Sequence, residues 1–236
     1  MLILEVVFTN DFSWRSIVAA LPGRIEATAV RYVVAEQVGR TILEKILSED
    51  PGYESADVLL VLNHLRHDRI EEAVVAAEAY RKRSPSSAVA YDLLGRALQA
   101  SGREAAASNA FKNALLLRPG YPDAARGLAD FERSAGDIDA ARDYYKDILS
   151  HYPENSRSGM ELAGTYGEQG MTMAMLETLE ETRLANRRAA GPYLSQLRYQ
   201  LALGEVEAGS LIVSGMTETQ RVDLDALATM AAWEIT

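Results

Sequence analysis

A step of 34 residues constrains this chain more than any other feature. Pro51, Pro85, Pro119 and Pro153 keep that spacing, and so do Leu60, Leu94, Leu128 and Leu162. Ala73, Ala107 and Ala141 repeat it, as do Gly102, Gly136 and Gly170. A step of this size holds one supersecondary unit, which cannot bury its apolar face alone and must stack on copies of itself. Within each step apolar residues recur at helical spacing. The expectation is an all-α array of antiparallel helix pairs. Four units are read, at 54–87, 88–121, 122–155 and 156–189. Each holds two helices of about 13 residues. The turns fall at His67-Asp68, Ser101-Gly102, Ala135-Gly136 and Gln169-Gly170, residues that suit a helix end needing φ > 0.

Small residues mark where the two helices of a unit approach. Gly95 is paired with Ala107, and Ala129 with Ala141. Tyr91, Leu94, Leu98, Phe111 and Leu115 fill the flanking layers of the second unit; Leu128, Phe131, Tyr145 and Ile148 do so in the third.

The ends are less regular. Residues 1–53 read as an irregular segment with a helical lead-in. Met1–Phe8 is apolar and β-prone, and residues 13–21 suit a short helix stopped by Pro22-Gly23. Residues 24–48 have helical periodicity, as one long helix or as a pair broken near Gly39. Residues 190–236 read as a degenerate pair, 193–203 and 206–215, plus a last helix at 223–233 that caps the array.

The 88–121 unit resembles the tetratricopeptide repeat family at Tyr91, Leu94-Gly95, Leu98, Gly102, Ala107, Phe111, Ala114 and Pro119. The resemblance extends over residues 54–155. It implies a right-handed superhelical solenoid whose concave groove is lined by the first helix of each unit and binds a peptide or partner protein. The groove positions here are Ser55, Val58, Leu62, Leu65 and Arg66, then Val89, Asp92, Arg96 and Gln99, then Asp123, Arg126, Asp130 and Arg133, and last Arg157, Met160, Gly164 and Glu168. The binding residues taken forward are Val58, Leu62, Arg66, Asp92, Arg96, Gln99, Arg126, Asp130 and Arg133. The plainer reading makes Asp92/Arg96 and Arg126/Asp130 ordinary i,i+4 surface pairs. Family members that grip a C-terminal carboxylate use a Lys/Asn pair, which these positions lack. Residues 56–73 (ADVLLVLNHLRHDRIEEA) and 92–102 (DLLGRALQASG) are also similar to large bacterial repeat lipoproteins of exosortase and PEP-CTERM sorting systems. That likeness implies an exported scaffold in envelope sorting or exopolysaccharide assembly.

Composition narrows the alternatives. A formal charge of −10 argues against non-specific binding to nucleic acid or anionic lipid. There is no cysteine, so disulfides and thiolate metal sites are excluded. No apolar run reaches the length of a membrane span. Glu5 interrupts the apolar N-terminus and no basic region precedes it, so no signal peptide is expected there. His64, His67 and Asp68 form the one metal-like cluster, but His64 takes a packing position and no third ligand is evident. Met171, Met173 and Met175 point in divergent directions on a helix and read as adaptable core packing. Arg81-Lys82-Arg83 ends a helix, where cations oppose the dipole, and His151 reads as a solvated helix-end residue. No phosphate-binding glycine loop or nucleophile elbow occurs. The chain is therefore read as a non-catalytic scaffold without cofactor or metal. Two alternatives stand. One is a cytoplasmic adaptor that self-associates through its apolar end at 190–236. The other is the repeat domain of a larger enzyme such as a glycosyltransferase.

Overall fold

The computed structural model describes residues 24–221. The expected elements at 1–8, 13–21 and 223–233 lie outside that range. The chain divides into two compact units, Met1–Ser84 and Pro85–Thr236.

In the first unit, α1 (Arg24–Glu49) packs on α2 (Glu54–Arg66), which packs on α3 (Ile70–Arg83). α1 is one continuous helix of 26 residues, which decides between the two readings of 24–48. Gly39 sits inside it with nothing near the place of a Cβ. A mid-helix glycine costs about 1 kcal/mol against alanine but does not break a helix.

The second unit runs α4 (Ala88–Ala100), α5 (Glu104–Leu117), α6 (Pro122–Ser134), α7 (Ile138–His151), α8 (Ser156–Glu168), α9 (Thr172–Ala185), α10 (Ala190–Leu203), α11 (Val206–Gly215) and the short α12 (Glu218–Arg221). From α4 to α11 each helix packs on the next. First helices also touch across units, α4 with α6 and α8 with α10. This is the contact pattern of a stacked array.

The turns show why the step is kept. Gly102 has φ +74°, and its N–H donates to Gln99 O at 3.0 Å while Arg103 N–H reaches back to Leu98 O at 2.9 Å. This pair of bonds satisfies carbonyls that a helix end leaves open. The same closure recurs at Gly136, Gly170 and Gly204, and at Asp68, where φ is +57° on a residue with a side chain. Starts are set locally too. Asp137 accepts from Ala140 N–H at 2.9 Å, Asn155 accepts from Ser158 N–H at 3.0 Å, and Pro122 opens α6.

The core of the second unit is built around single large side chains. Phe111, fully buried, lies between α4 and α6. A Cβ on Gly95 would fall 2.5 Å from one edge of its ring, and a Cβ on Gly127 2.5 Å from the other. The close neighbour of Gly95 is thus the Phe111 ring, and Gly127, outside the 34-residue pattern, does the same work from the far side. Tyr145 and Ile148 pack with Ala125, Ala129, Ala141 and Leu162 in the next layer. Tyr193, Leu194, Leu197, Ile212 and Met216 form the last. Ala107 is fully buried. Ala107→Leu should overpack its contact and cost on the order of 1–3 kcal/mol, visible as a lower melting temperature. An unchanged transition would mean the contact has room to spare.

Candidate functional site

The residues expected to bind lie on the first helices. On α4, Asp92, Arg96 and Gln99 stand at i, i+4 and i+7, and Arg126, Asp130 and Arg133 take the same places on α6. Such positions share one helix face. Because α4 packs on α6, the two faces lie side by side. In the first unit, α2 carries Val58 and Leu62, half-buried, and Arg66, exposed.

The structure does not form the expected i,i+4 pairs. Arg126 bonds Asp123, one turn earlier, and not Asp130. Asp92 does not meet Arg96 in an ion pair: it is only 2 % exposed, whereas Arg96 is exposed. Arg133 crosses to α8 and pairs with Glu168, while Arg157 pairs with Glu161 at 2.9 Å. Arg96 and Asp130 are exposed and enter no ion pair among the described residues.

Asp92 is the unusual member. Its Oδ1 is buried with no hydrogen-bond partner among the described residues. Burial pushes its carboxyl up to about 7, and the negative Asp123 adds to the shift against the opposing pull of Arg96 and Arg126. Tyr121 is pushed up to about 12, first by its own burial and then by Asp92 and Asp123. A carboxyl raised from 3.8 to about 7 by folding favours the fold while protonated. That contribution is present below the unfolded value and is lost as pH rises through about 7. Asp92→Asn should therefore raise the melting temperature at pH 8 and leave it nearly unchanged near pH 4, each against wild type. A pH-independent difference would place Asp92 in a solvated setting.

Several polar side chains have structural work that their sequence positions did not suggest. Asp57 is 2 % exposed and accepts both a short bond from Arg83 Nη2 and one from Nε at 3.3 Å. Arg83 therefore does more than oppose a helix dipole. Arg142 is buried, lies over the Tyr166 ring at 4.5 Å, pairs with Asp139 and donates to Gln169. Arg183 lies over Tyr193 at 5.0 Å and holds Glu180, which also accepts from Gln196 at 3.0 Å. The hydrogen bonds from Arg183 and Gln196 hold the Glu180 carboxyl below its usual value, although desolvation opposes them. Apart from the i,i+3 pairs Asp139/Arg142 and Glu180/Arg183, these contacts join residues ten or more positions apart, and no local pattern marks them.

His64 is buried in a cleft with Arg40, Glu44 and Glu72, and desolvation followed by Arg69 lowers its pKa. Among the described residues no group of three or more His, Asp or Glu is arranged to hold a metal. Of the three methionines only Met175 is in the core, with Ala163 and Leu179. Met171 and Met173 are exposed, which corrects the expectation of core packing for all three. Met173 diverges from Met175 by about 200° around the helix, and Met171 stands before its first turn. His151 is exposed as expected, yet its ring also covers Gly120. No helix among the described residues is long and apolar enough to cross a membrane.

Residues 98–157 match the tetratricopeptide repeat family, over the helices that carry Arg126, Asp130 and Arg133. That stretch carries the tetratricopeptide pattern. Solved structures share the fold. PilW, a widely conserved type IV pilus biogenesis factor, is similar at 18 % identity and a TM-score of 0.60, over 86 % of this chain and 95 % of its own. PilF of Pseudomonas aeruginosa is similar at 18 % identity and a TM-score of 0.56, over 77 % and 89 %. MamA is similar at 21 % identity and a TM-score of 0.53, over 66 % and 91 %. No curated protein sequence matches significantly. At these identities the likeness establishes the all-α tetratricopeptide solenoid as the fold.

Proposed function

We propose that this protein is a non-catalytic scaffold that binds a protein or peptide partner on the first-helix face of its repeats. One observation carries the reading. On adjacent helices α4 and α6, Arg96 and Asp130 are exposed and enter no ion pair among the described residues, while the cations around them are held by Asp123 and Glu168. Charges left open beside pre-positioned ones give a surface that recognises without first having to order itself. The reading takes 54–189 as four repeat units and 190–236 as a degenerate pair with a terminal cap. It assigns contact to Val58, Leu62 and Arg66 on α2, to Asp92, Arg96 and Gln99 on α4, and to Arg126, Asp130 and Arg133 on α6.

The setting proposed is bacterial envelope assembly, in protein sorting or exopolysaccharide production. Supporting it are the likeness of residues 56–73 and 92–102 to exported repeat lipoproteins, and the fold shared with a type IV pilus biogenesis factor. The test is photo-crosslinking in cells of the source organism from positions 96 and 126, with the exposed second-helix positions Lys112 and Lys146 as controls. Discrete partners captured from the first two positions alone are expected, and their identity reports the compartment. Equal capture at all four, or none, would overturn the groove.

A further inference from the structure

The second half of α1 keeps the register of a second helix. One step before Ala73, Ala77 and Tyr80 of α3 stand Gly39, Leu43 and Ile46. The residues at these places are at most 1 % exposed in α3, in α5 (Ala107, Phe111, Ala114) and in α7 (Ala141, Tyr145, Ile148). There the first helix of the same unit packs over them, as Gly95 does on Phe111 and Ala129 in the layer of Tyr145. In α1 the same face is open. Gly39, Leu43 and Ile46 are only half-buried, Ile42 beside them is 53 % exposed, and among the described residues nothing lies within 4 Å of a Cβ placed on Gly39.

The missing turn explains the open face. Asp68, Gly102, Gly136, Gly170 and Gly204 all have positive φ, and one step before Asp68 stands Val34. A β-branched residue is a severe misfit at positive φ. α1 accordingly runs through Val34 as unbroken helix. The stretch 24–33, which in the register of the repeats would fold back as the first helix, continues along the same axis. It keeps most of a first helix's residues. Ile25, Ala27, Ala29 and Val30 match the buried Leu93, Gly95, Ala97 and Leu98 of α4, and Glu26, at the place of Leu94, is the one departure.

A straight helix cannot cover its own face, but it can cover that of another. Independently of the groove, we propose that the first unit pairs with a second copy of this chain by exchanging halves of α1. Residues 24–33 of each copy pack antiparallel on the face of Gly39, Ile42, Leu43 and Ile46 in the other. A two-fold axis makes the two contacts identical and reuses the packing already built into the repeat. α1 holds as many acidic as basic residues, so the chain's net charge of −10 does not oppose this contact.

Sedimentation equilibrium of the full chain is expected to show a monomer–dimer equilibrium, with a melting temperature that rises with protein concentration. Val34→Gly with Ala35→Asp copies the turn of Gly136 and Asp137, in which Gly136 takes φ +86° and Asp137 caps the next helix. It lets 24–33 fold back within its own chain. That variant should be a monomer with unchanged helical circular dichroism and a melting temperature independent of concentration. Val34→Ala favours the straight helix and should keep the dimer. Ile42→Glu should weaken the dimer about tenfold or more, by placing a charge in the contact. A wild-type chain that stays monomeric at its highest soluble concentration would overturn the proposal. So would a dimer that survives both the turn transplant and Ile42→Glu, which places association elsewhere. A dimer lost on Ile42→Glu but kept by the turn transplant would replace exchange by simple face-to-face pairing. Loss of helical signal in the turn variant would mean that 24–33 cannot serve as a first helix, which overturns the exchange as well.

Discussion

Replacing Phe111 by alanine should cost about 3–5 kcal/mol of stability, the range for removing a fully buried aromatic side chain from a packed interior. The value is expected toward the upper end because the site cannot easily collapse. Phe111 is fully buried, and its ring is flanked by Gly95 of α4 and Gly127 of α6. Neither flank has a side chain that can swing into the void. The ring also meets Phe131, with centroids 6.1 Å apart. Urea unfolding followed by circular dichroism measures the loss. Gly127→Ala probes the same slot from the opposite direction, since its Cβ would fall 2.5 Å from the ring. The two changes share one space, so their effects should not add. A cost below about 1 kcal/mol for Phe111→Ala would mean that the ring is not what separates α4 from α6.

The second large effect is expected in the first unit. Arg83→Met keeps most of the aliphatic stem but removes the partner of Asp57, which is 2 % exposed. Breaking a buried pair from one side leaves an uncompensated charge. Arg83 is itself one-third exposed, so the cost should be about 2–3 kcal/mol and not the full penalty of a wholly buried pair. The double change Asp57→Leu with Arg83→Met should recover most of it, because an apolar pair of similar volume needs no charge balance. Thermal melts of wild type, both single variants and the double close the cycle. A single Arg83→Met variant as stable as wild type would sink the assignment.

These two sites show where reading the chain in one dimension succeeds and where it stops. Gly95, Phe111 and Gly102 all stand at repeat positions, and their roles follow from the period together with the geometry of a helix end. Gly127 does not, because the unit before it carries Leu93 at the matching place. Only the approach of α6 to the Phe111 ring shows what Gly127 is for. The same holds for Asp57 and Arg83, 26 residues apart on different helices.

The binding face divides in the same way. That Asp92, Arg96, Arg126 and Asp130 share helix faces follows from their spacing alone. Spacing also suggested Asp92/Arg96 and Arg126/Asp130 as i,i+4 pairs, and there it misled. Arg126 turns to Asp123 on its own helix, and Asp92 is buried without an ion pair to the exposed Arg96.

By itself the sequence determined the helix pairs, their turns and the faces on which charged residues stand. These depend on backbone geometry and on periods set by near neighbours in the chain. The tertiary structure decided which of those residues are buried, which charges pair across helices, and which remain open to a partner. Burial and pairing depend on what the next helix places against a side chain, and periodicity within one helix carries no information about that.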